Sequence, residues 1–192
     1  MGFPSIPGWD GIHPAMVQFA IVLLFVAPLL LIVSLFMRQT WRAWAGAFLL
    51  VMGVGAFAAW LAVASGHAAG QLVDKTPALE RAIAAHEALG LLTRNVFTVL
   101  ALVFAALLIV EARLRERIGT PLRITINALF LIAYLGCTTF LANTASRGGQ
   151  LVHDAGIKAM VDKPVATVTV SPETQAPAPR SSPAPPAPAP KQ

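Results

Sequence analysis

Four apolar runs, each long enough to cross a membrane as a helix, constrain this chain more than any other feature of its sequence. They occupy residues 15–37, 44–65, 89–110 and 124–145. A helix needs about 20 predominantly apolar residues to cross the hydrocarbon core of a bilayer. Of the 192 residues, 56% are hydrophobic and 12% are charged, whereas a soluble domain carries about 25% charged residues. The sequence therefore predicts an all-α integral membrane protein, a four-helix transmembrane bundle with up-down-up-down topology.

The composition divides the chain into three parts. Residues 1–14 form a short N-terminal segment, residues 15–157 form the four-span membrane domain, and residues 158–192 form a C-terminal tail rich in proline and alanine. A low-complexity sequence of this kind cannot bury a core and favours extended, polyproline-like chain. We therefore expect the tail to be disordered.

The charge of the connecting loops predicts the orientation. The first loop holds Arg38 and Arg42 without an acid, and the third holds four arginines against two acids, namely Arg113, Arg115, Arg117 and Arg123 against Glu111 and Glu116. Cytoplasmic loops carry the excess of Lys and Arg. The sequence thus predicts a multi-pass protein of the bacterial inner (cytoplasmic) membrane with both termini in the periplasm. The net charge of +5 forms no basic stripe interleaved with aromatic residues, which argues against nucleic acid as a partner.

The chain has four histidines, and each borders one of the apolar runs: His13, His67, His86 and His153. An up-down-up-down path brings all four to the periplasmic end. Imidazole is a common ligand of haem iron and of transition metals. The candidate axial ligands of a b-type haem are His13 with His67, His86 with His153, or His13 with His86 across the bundle. All four together are candidate ligands of one copper or zinc ion.

An ordinary alternative competes with this interpretation. Histidine is amphipathic, so water at a membrane interface satisfies it without any cofactor. Ligands of a buried haem usually lie a turn or two inside a bundle, whereas these histidines are predicted at its edge. Cys137 is the only cysteine and no C-x-x-C-H motif occurs, so covalent attachment of haem is not expected.

Arg94 is the second candidate binding residue. It follows His86 by eight positions, which is about 12 Å along a helix at ~1.5 Å per residue. A charge within a span costs about 2.5–3.5 kcal/mol, so we expect Arg94 to face the bundle and to bind a haem propionate, a quinone carbonyl or an anion. The alternative is that Arg94 extends to the outer interface with the help of Asn95.

Two further patterns concern how the helices pack. Gly-Gln-Leu-Val occurs at residues 70–73 and again at 149–152, which fits two similar helical hairpins but also arises by chance in such a chain. The second span is rich in small residues that allow close helix approach, including Gly46, Gly53 and Gly55. No P-loop, dinucleotide fingerprint or serine nucleophile elbow is present, so no independent catalytic activity is expected.

Several short motifs occur in a fixed order along the chain. They are I-H-P-A-M-V-Q-F at 12–19, S-G-H at 65–67, H-E-A-L-G at 86–90 and G-G-Q-L-V at 148–152. Together they resemble a bacterial family of small four-helix membrane proteins, domain of unknown function 2231, over about residues 12–157. The resemblance implies the four-span fold and supplies no activity. It covers His13 and His86, but the family often has tyrosine where this chain has His153.

The leading hypothesis is a small b-type-cytochrome-like electron-transfer subunit. It would bind haem b or a transition metal at its periplasmic end, with His13 and His86 as the first candidate metal ligands. Its predicted partners are the lipid bilayer and a larger membrane or periplasmic redox complex. The alternative is a non-catalytic accessory subunit that packs against a larger membrane complex through the small residues of span two.

Overall fold

The computed structural model describes residues 8, 9, 11–71, 73, 76–114 and 117–154. These residues form four α-helices and no strand: α1 (His13–Phe36), α2 (Trp41–Gln71), α3 (Pro77–Arg113) and α4 (Thr120–His153). Each helix contains a stretch long and apolar enough to cross a membrane. Because α1 and α3 both pack against α2 and α4, the helices close into an up-down-up-down bundle. The predicted fold is confirmed. The predicted tail and residues 1–7 lie outside the described residues.

The helices extend beyond the apolar runs, most of all between the second and third spans. The sequence predicts a loop over residues 66–88, but only residues 72–76 separate α2 from α3. α3 begins at Pro77, and the side chain of Thr76 accepts a hydrogen bond from the amide of Leu79 at 3.3 Å. Proline suits a first helical turn because its missing N–H has no helical partner there. Hydropathy locates the membrane-length part of a helix and misses the more polar turns that continue it.

Glu111 is a second correction at a loop boundary. The sequence assigns it to the third loop, but α3 continues through it to Arg113, and Glu111 is only 4% exposed. Its Oε1 atom accepts a hydrogen bond from the side-chain amide of Asn127 on α4 at 2.8 Å. A polar group can be buried when it has such a partner, and this one ties the end of α3 to the start of α4.

An aromatic cluster fills the centre of the bundle. Phe48 of α2 meets Phe104 of α3 edge to face, with ring centroids 4.6 Å apart. Tyr134 of α4 lies 5.5 Å from Phe48 and 5.4 Å from Phe97 of α3. Each such pair adds about 0.5–1.5 kcal/mol beyond the burial of area. The outward faces of the helices carry large exposed apolar side chains, as contact with lipid requires.

Pro28 lies within α1 and has no N–H to donate to the carbonyl of Leu24, four residues earlier. The hydroxyl of Tyr134 on α4 donates to that carbonyl at 2.7 Å. Tyr134 is fully buried, so an unpaired carbonyl or hydroxyl at this place would be costly. The hydroxyl of Tyr134 on α4 thus replaces the hydrogen-bond donor that Pro28 removes from α1.

The small residues of α2 differ in what they contact. A Cβ atom added to Gly55 would lie 2.9 Å from the Leu24 side chain, so this glycine lets α1 and α2 approach closely. Added to Gly46 or Gly53, it would meet no atom within 4 Å. The prediction of close approach therefore holds at Gly55 and is wrong for the other two glycines.

Candidate histidine site

All four histidines lie at one end of the bundle, where α1 and α3 begin and α2 and α4 end, which we call the histidine end. His13 is the first residue of α1 and His153 the last of α4. His67 precedes the end of α2 by four residues, and His86 lies nine residues into α3. His86 is therefore more than two turns inside its helix.

His13 is held against the backbone of α2. Its Nδ1 atom lies 2.8 Å from the carbonyl oxygen of Ala62 and 3.4 Å from the Ser65 hydroxyl. Gly66 makes room for the ring, because a Cβ atom there would lie 2.6 Å from the Cε1 atom of His13. Since a carbonyl only accepts hydrogen bonds, the proton is assigned to Nδ1 and the lone pair to Nε2.

His86 is seated on α4 in a similar way. A Cβ atom added to Gly148 would lie 3.0 Å from the Cε1 atom of His86. The backbone of Thr144 lies close to the ring, but the buried Nδ1 atom completes no hydrogen bond with it or with any other described residue. Thr144 also lies 2.8 Å from Thr93 through the two hydroxyl oxygens, which joins α3 to α4 below the histidine.

The places where His13 rests on α2 and His86 rests on α4, which we call the histidine seats, share one pattern. In each, the first helix of a hairpin supplies the imidazole, and the second supplies nearby backbone and a glycine four residues later. Only His13 completes the hydrogen bond to that backbone. The rings are also near enough for a charge on one to be felt by the other. If the two hairpins are aligned by this pattern, Gly66 corresponds to Gly148. If they are aligned by the sequence repeat, Gly70 corresponds to Gly149. The two alignments differ by three residues, close to one helical turn.

His67 belongs to a different group of side chains. Its Nδ1 atom lies 3.6 Å from a carboxylate oxygen of Glu87 on α3, and its Nε2 atom lies 3.3 Å from the amide nitrogen of Gln71. Both contacts border a cleft of about 150 Å³ between α2 and α3. His67 is exposed, and neither of these two contacts involves His13.

His153 is exposed at the last position of α4. Across the described ranges, no group of three or more histidine, cysteine or acidic side chains is arranged to hold a metal ion. The structure therefore does not gather the four histidines around one centre. It presents His13 and His86 as a pair of half-buried rings, with His67 and His153 on the surface around them.

In the described part of the chain, the side-chain contacts of Arg94 are with Trp60 and Asn95, and none is with a histidine. Its guanidinium carbon lies 3.9 Å from the ring centroid of Trp60 on α2, and its nitrogens donate to the Asn95 side chain at 2.9 and 3.1 Å. Trp60 is 46% exposed, and its indole N–H donates to Thr98 at 3.0 Å. The sequence puts Arg94 on one face with His86, but the buried residue of that face is the neighbouring Thr93.

The sequence did not predict which backbone groups and glycines form the two histidine seats. Ala62 contributes a carbonyl group to His13, and the backbone of Thr144 lies close to His86; no side-chain motif marks either residue. The glycines offered a signal, because glycine within a helix costs up to about 1 kcal/mol relative to alanine and often marks a close contact. Gly66 and Gly148 both carry that signal, yet only the packed helices show which ring each one accommodates.

The pair has the chemistry of a ligand set. An imidazole whose Nδ1–H is tied to a carbonyl presents Nε2 outward as a metal donor, and second-shell contacts of this kind orient metal-binding histidines. Two imidazoles match the axial ligation of a b-type haem. Tetrahedral zinc needs three or four protein ligands, more than this pair provides.

Comparisons with known proteins give a family but no activity. The sequence profile of a family described as "Predicted membrane protein (DUF2231)" matches residues 10–160. No curated protein matches the chain. No solved structure matches it either.

Proposed function

The chain belongs to the DUF2231 family of predicted membrane proteins, and we propose that it is a small b-type-cytochrome-like electron-transfer subunit. His13 and His86 would hold haem b, or else a transition-metal ion, at the histidine end. The observation that carries the proposal is the 2.8 Å contact of His13 Nδ1 with the Ala62 carbonyl, because it leaves Nε2 free to ligate. Bound haem would supply a one-electron ferric–ferrous couple.

Charge supports a location and a class of partner. Arg38, Arg42, Arg117 and Arg123 all lie at the other end of the bundle, and cytoplasmic ends carry such an excess. The histidine end would then face the periplasm of a bacterial inner membrane. A redox group there would exchange electrons with the quinone pool and with a periplasmic or membrane-bound redox complex.

The test begins with the full chain purified in mild detergent from cells grown with added haem precursor. We expect a reduced-minus-oxidised spectrum with a Soret band, or stoichiometric metal by elemental analysis. The spectrum of His67→Ala should be unchanged, because His67 is exposed and lies outside the pair. A preparation with neither Soret band nor stoichiometric metal would overturn the proposal.

Two substitutions at His13 separate ligation from packing. In His13→Asn the side-chain amide can still donate to the Ala62 carbonyl, but Nε2 is lost. His13→Leu removes both the hydrogen bond and the ligand. We expect both variants to lose the pigment and only His13→Leu to lose thermal stability as well. Retention of the pigment by His13→Asn would exclude His13 as a ligand.

A second candidate, a non-catalytic accessory subunit, is favoured by the outward polar cluster of Trp60, Arg94, Asn95 and Thr98. Polar groups within a membrane-length helix are costly against lipid, so a protein neighbour would suit this face. A photo-crosslinking residue at position 95 should then capture a specific membrane protein, whereas one at Ile132, a 66% exposed position on α4, should not. Equal labelling from both positions would exclude a specific neighbour.

A further inference from the structure

The opposite end of the bundle, where α1 and α3 end and α2 and α4 begin, gathers two cations around one indole; we call it the arginine end. The guanidinium carbons of Arg42 and Arg123 lie 5.5 and 4.4 Å from the ring centroid of Trp41. Both lie within the ~6 Å at which an aromatic ring attracts a cation. The two charges come from different helices and are no further apart than the sum of these distances.

Acidic side chains balance this pair only in part. Within the described ranges, neither Arg42 nor Arg123 has a carboxylate oxygen within 4.0 Å. Glu111 is near enough to act on both charges, but it is buried and its Oε1 atom is engaged by Asn127. Its Oε2 atom is buried without a partner. Among the described residues, one buried carboxyl group therefore lies near two guanidinium groups, and Arg42 is exposed while Arg123 is half-buried.

The backbone adds to the positive field. α2 and α4 both begin at the arginine end, and neither has an acidic residue in its first turn. Gly119, the N-cap residue of α4, provides no side-chain cap. By contrast, α3 has the side chain of Thr76 as its cap and Glu80 in its first turn. Free backbone N–H groups and the helix dipole favour an anion at such helix starts.

We propose that Trp41, Arg42 and Arg123 form a binding site for the phosphate group of an anionic phospholipid. Guanidinium groups bind phosphate oxygens through paired hydrogen bonds, and tryptophan is enriched at the level of lipid headgroups. Phe36, 74% exposed at the end of α1, and Met37, 45% exposed directly after it, precede Trp41 by five and four residues and offer an apolar surface for the acyl chains. That surface favours a lipid over free phosphate, which shares the same headgroup chemistry.

Native mass spectrometry of the full chain in mild detergent tests the site. Dioleoyl-phosphatidylglycerol is titrated against dioleoyl-phosphatidylcholine, with inorganic phosphate as a third ligand. We expect the anionic lipid to bind about tenfold more tightly than the zwitterionic one, as for a charge-assisted contact of about 1.4 kcal/mol. Equal affinities for the two lipids would overturn the proposal. Equally tight binding of inorganic phosphate would assign the site to a soluble anion and would overturn the lipid assignment.

Matched variants distinguish a specific binding site from a general attraction by the positive charge at this end. Arg42→Gln with Arg123→Gln should abolish the preference for phosphatidylglycerol. Arg38→Gln with Arg117→Gln removes the same charge from the same end without touching the indole, and should change the affinity less than about twofold. If both pairs weaken binding equally, the attraction is diffuse and the site does not exist.

A third substitution gives a readout in the opposite direction. Glu111→Gln keeps the shape of the side chain and replaces the one acidic side chain that the described residues place near the two arginines. We expect it to tighten binding of phosphatidylglycerol, a gain that damage to the fold could not produce. Weaker or unchanged binding in a variant that melts at the wild-type temperature would count against the proposal.

Discussion

The two ends of the bundle hold their polar groups in opposite ways. At the histidine end, the His13 ring hydrogen-bonds to a carbonyl of the next helix, and both His13 and His86 rest against a glycine. At the arginine end, Arg42 and Arg123 stack on Trp41, and neither has a carboxylate oxygen within 4.0 Å in the described chain. The first arrangement positions two imidazole rings against the backbone of the next helix. The second leaves positive charge at the surface of the membrane domain.

This difference shows how one short bundle can offer two kinds of site. A ring tied to backbone has a defined orientation and tautomer, which suits coordination of a metal or haem iron. Flexible guanidinium groups on an indole tolerate variation in the position of an anion. If this comparison is right, each end should respond to its own substitutions and leave the other end unchanged.

The largest effect is expected where glycine is replaced by alanine and the added methyl group overlaps a histidine ring. Gly66→Ala should lower the free energy of unfolding by roughly 3 kcal/mol, and Gly148→Ala by somewhat less, because overpacking costs about 1–3 kcal/mol. The added Cβ atom would lie 2.6 Å from the His13 ring in the first variant and 3.0 Å from the His86 ring in the second. Gly149→Ala is the control, since its added Cβ atom meets nothing within 4 Å. Denaturation in mixed micelles measures all three. If all three variants are equally stable, the rings do not contact the glycines as described. If a glycine variant also changes phosphatidylglycerol binding at the arginine end, the two ends of the bundle are coupled.

A smaller effect is expected at the arginine end, in the contact of Asn127 with Glu111. Asn127→Leu should cost roughly 2 kcal/mol, because it leaves a buried carboxyl group without its hydrogen-bond donor. Adding Glu111→Leu should recover most of that loss, since replacing both partners by apolar groups is nearly neutral. The same denaturation assay measures the recovery. A double variant as unstable as Asn127→Leu alone would show that the pair is not an isolated unit.

The smallest effect concerns the centre, where a side chain again meets a backbone carbonyl, as at the histidine end. Tyr134→Phe should cost about 1 kcal/mol, because the Leu24 carbonyl loses its donor. In a Pro28→Ala background an amide N–H replaces the missing donor, so the same substitution should cost much less. A double-mutant cycle measures the difference. Equal costs in the two backgrounds would mean that the hydroxyl does not compensate for the proline.

The fold was predictable because four apolar runs leave a membrane chain few alternatives, and the family resemblance pointed the same way. Helix ends were less predictable. Glu111 reads as a loop residue until its partner Asn127, 16 positions away, is packed against it. Topology alone put the four histidines at one end, since it requires only the order of the spans.

The contacts of the site depend on helix rotation, which the sequence leaves open in helices that are apolar on nearly every side. Thr93 and Arg94 are adjacent, yet one is 3% exposed and bonded to α4 while the other lies on the outer surface against α2. A turn of about 100° per residue separates them. For the same reason the pairing of His67 with Glu87 had no signature in the spacing of the histidines.

The hydrogen bond between Tyr134 and Leu24 also bears on how the protein is made. The two residues are 110 positions apart, and Tyr134 is the only tyrosine in the chain. During synthesis α1 enters the bilayer first and α4 last, so the carbonyl freed by Pro28 waits in hydrocarbon, where an unsatisfied group costs several kcal/mol. A chain that ended after α3 would therefore lack the donor for this carbonyl, and only the fourth helix supplies it.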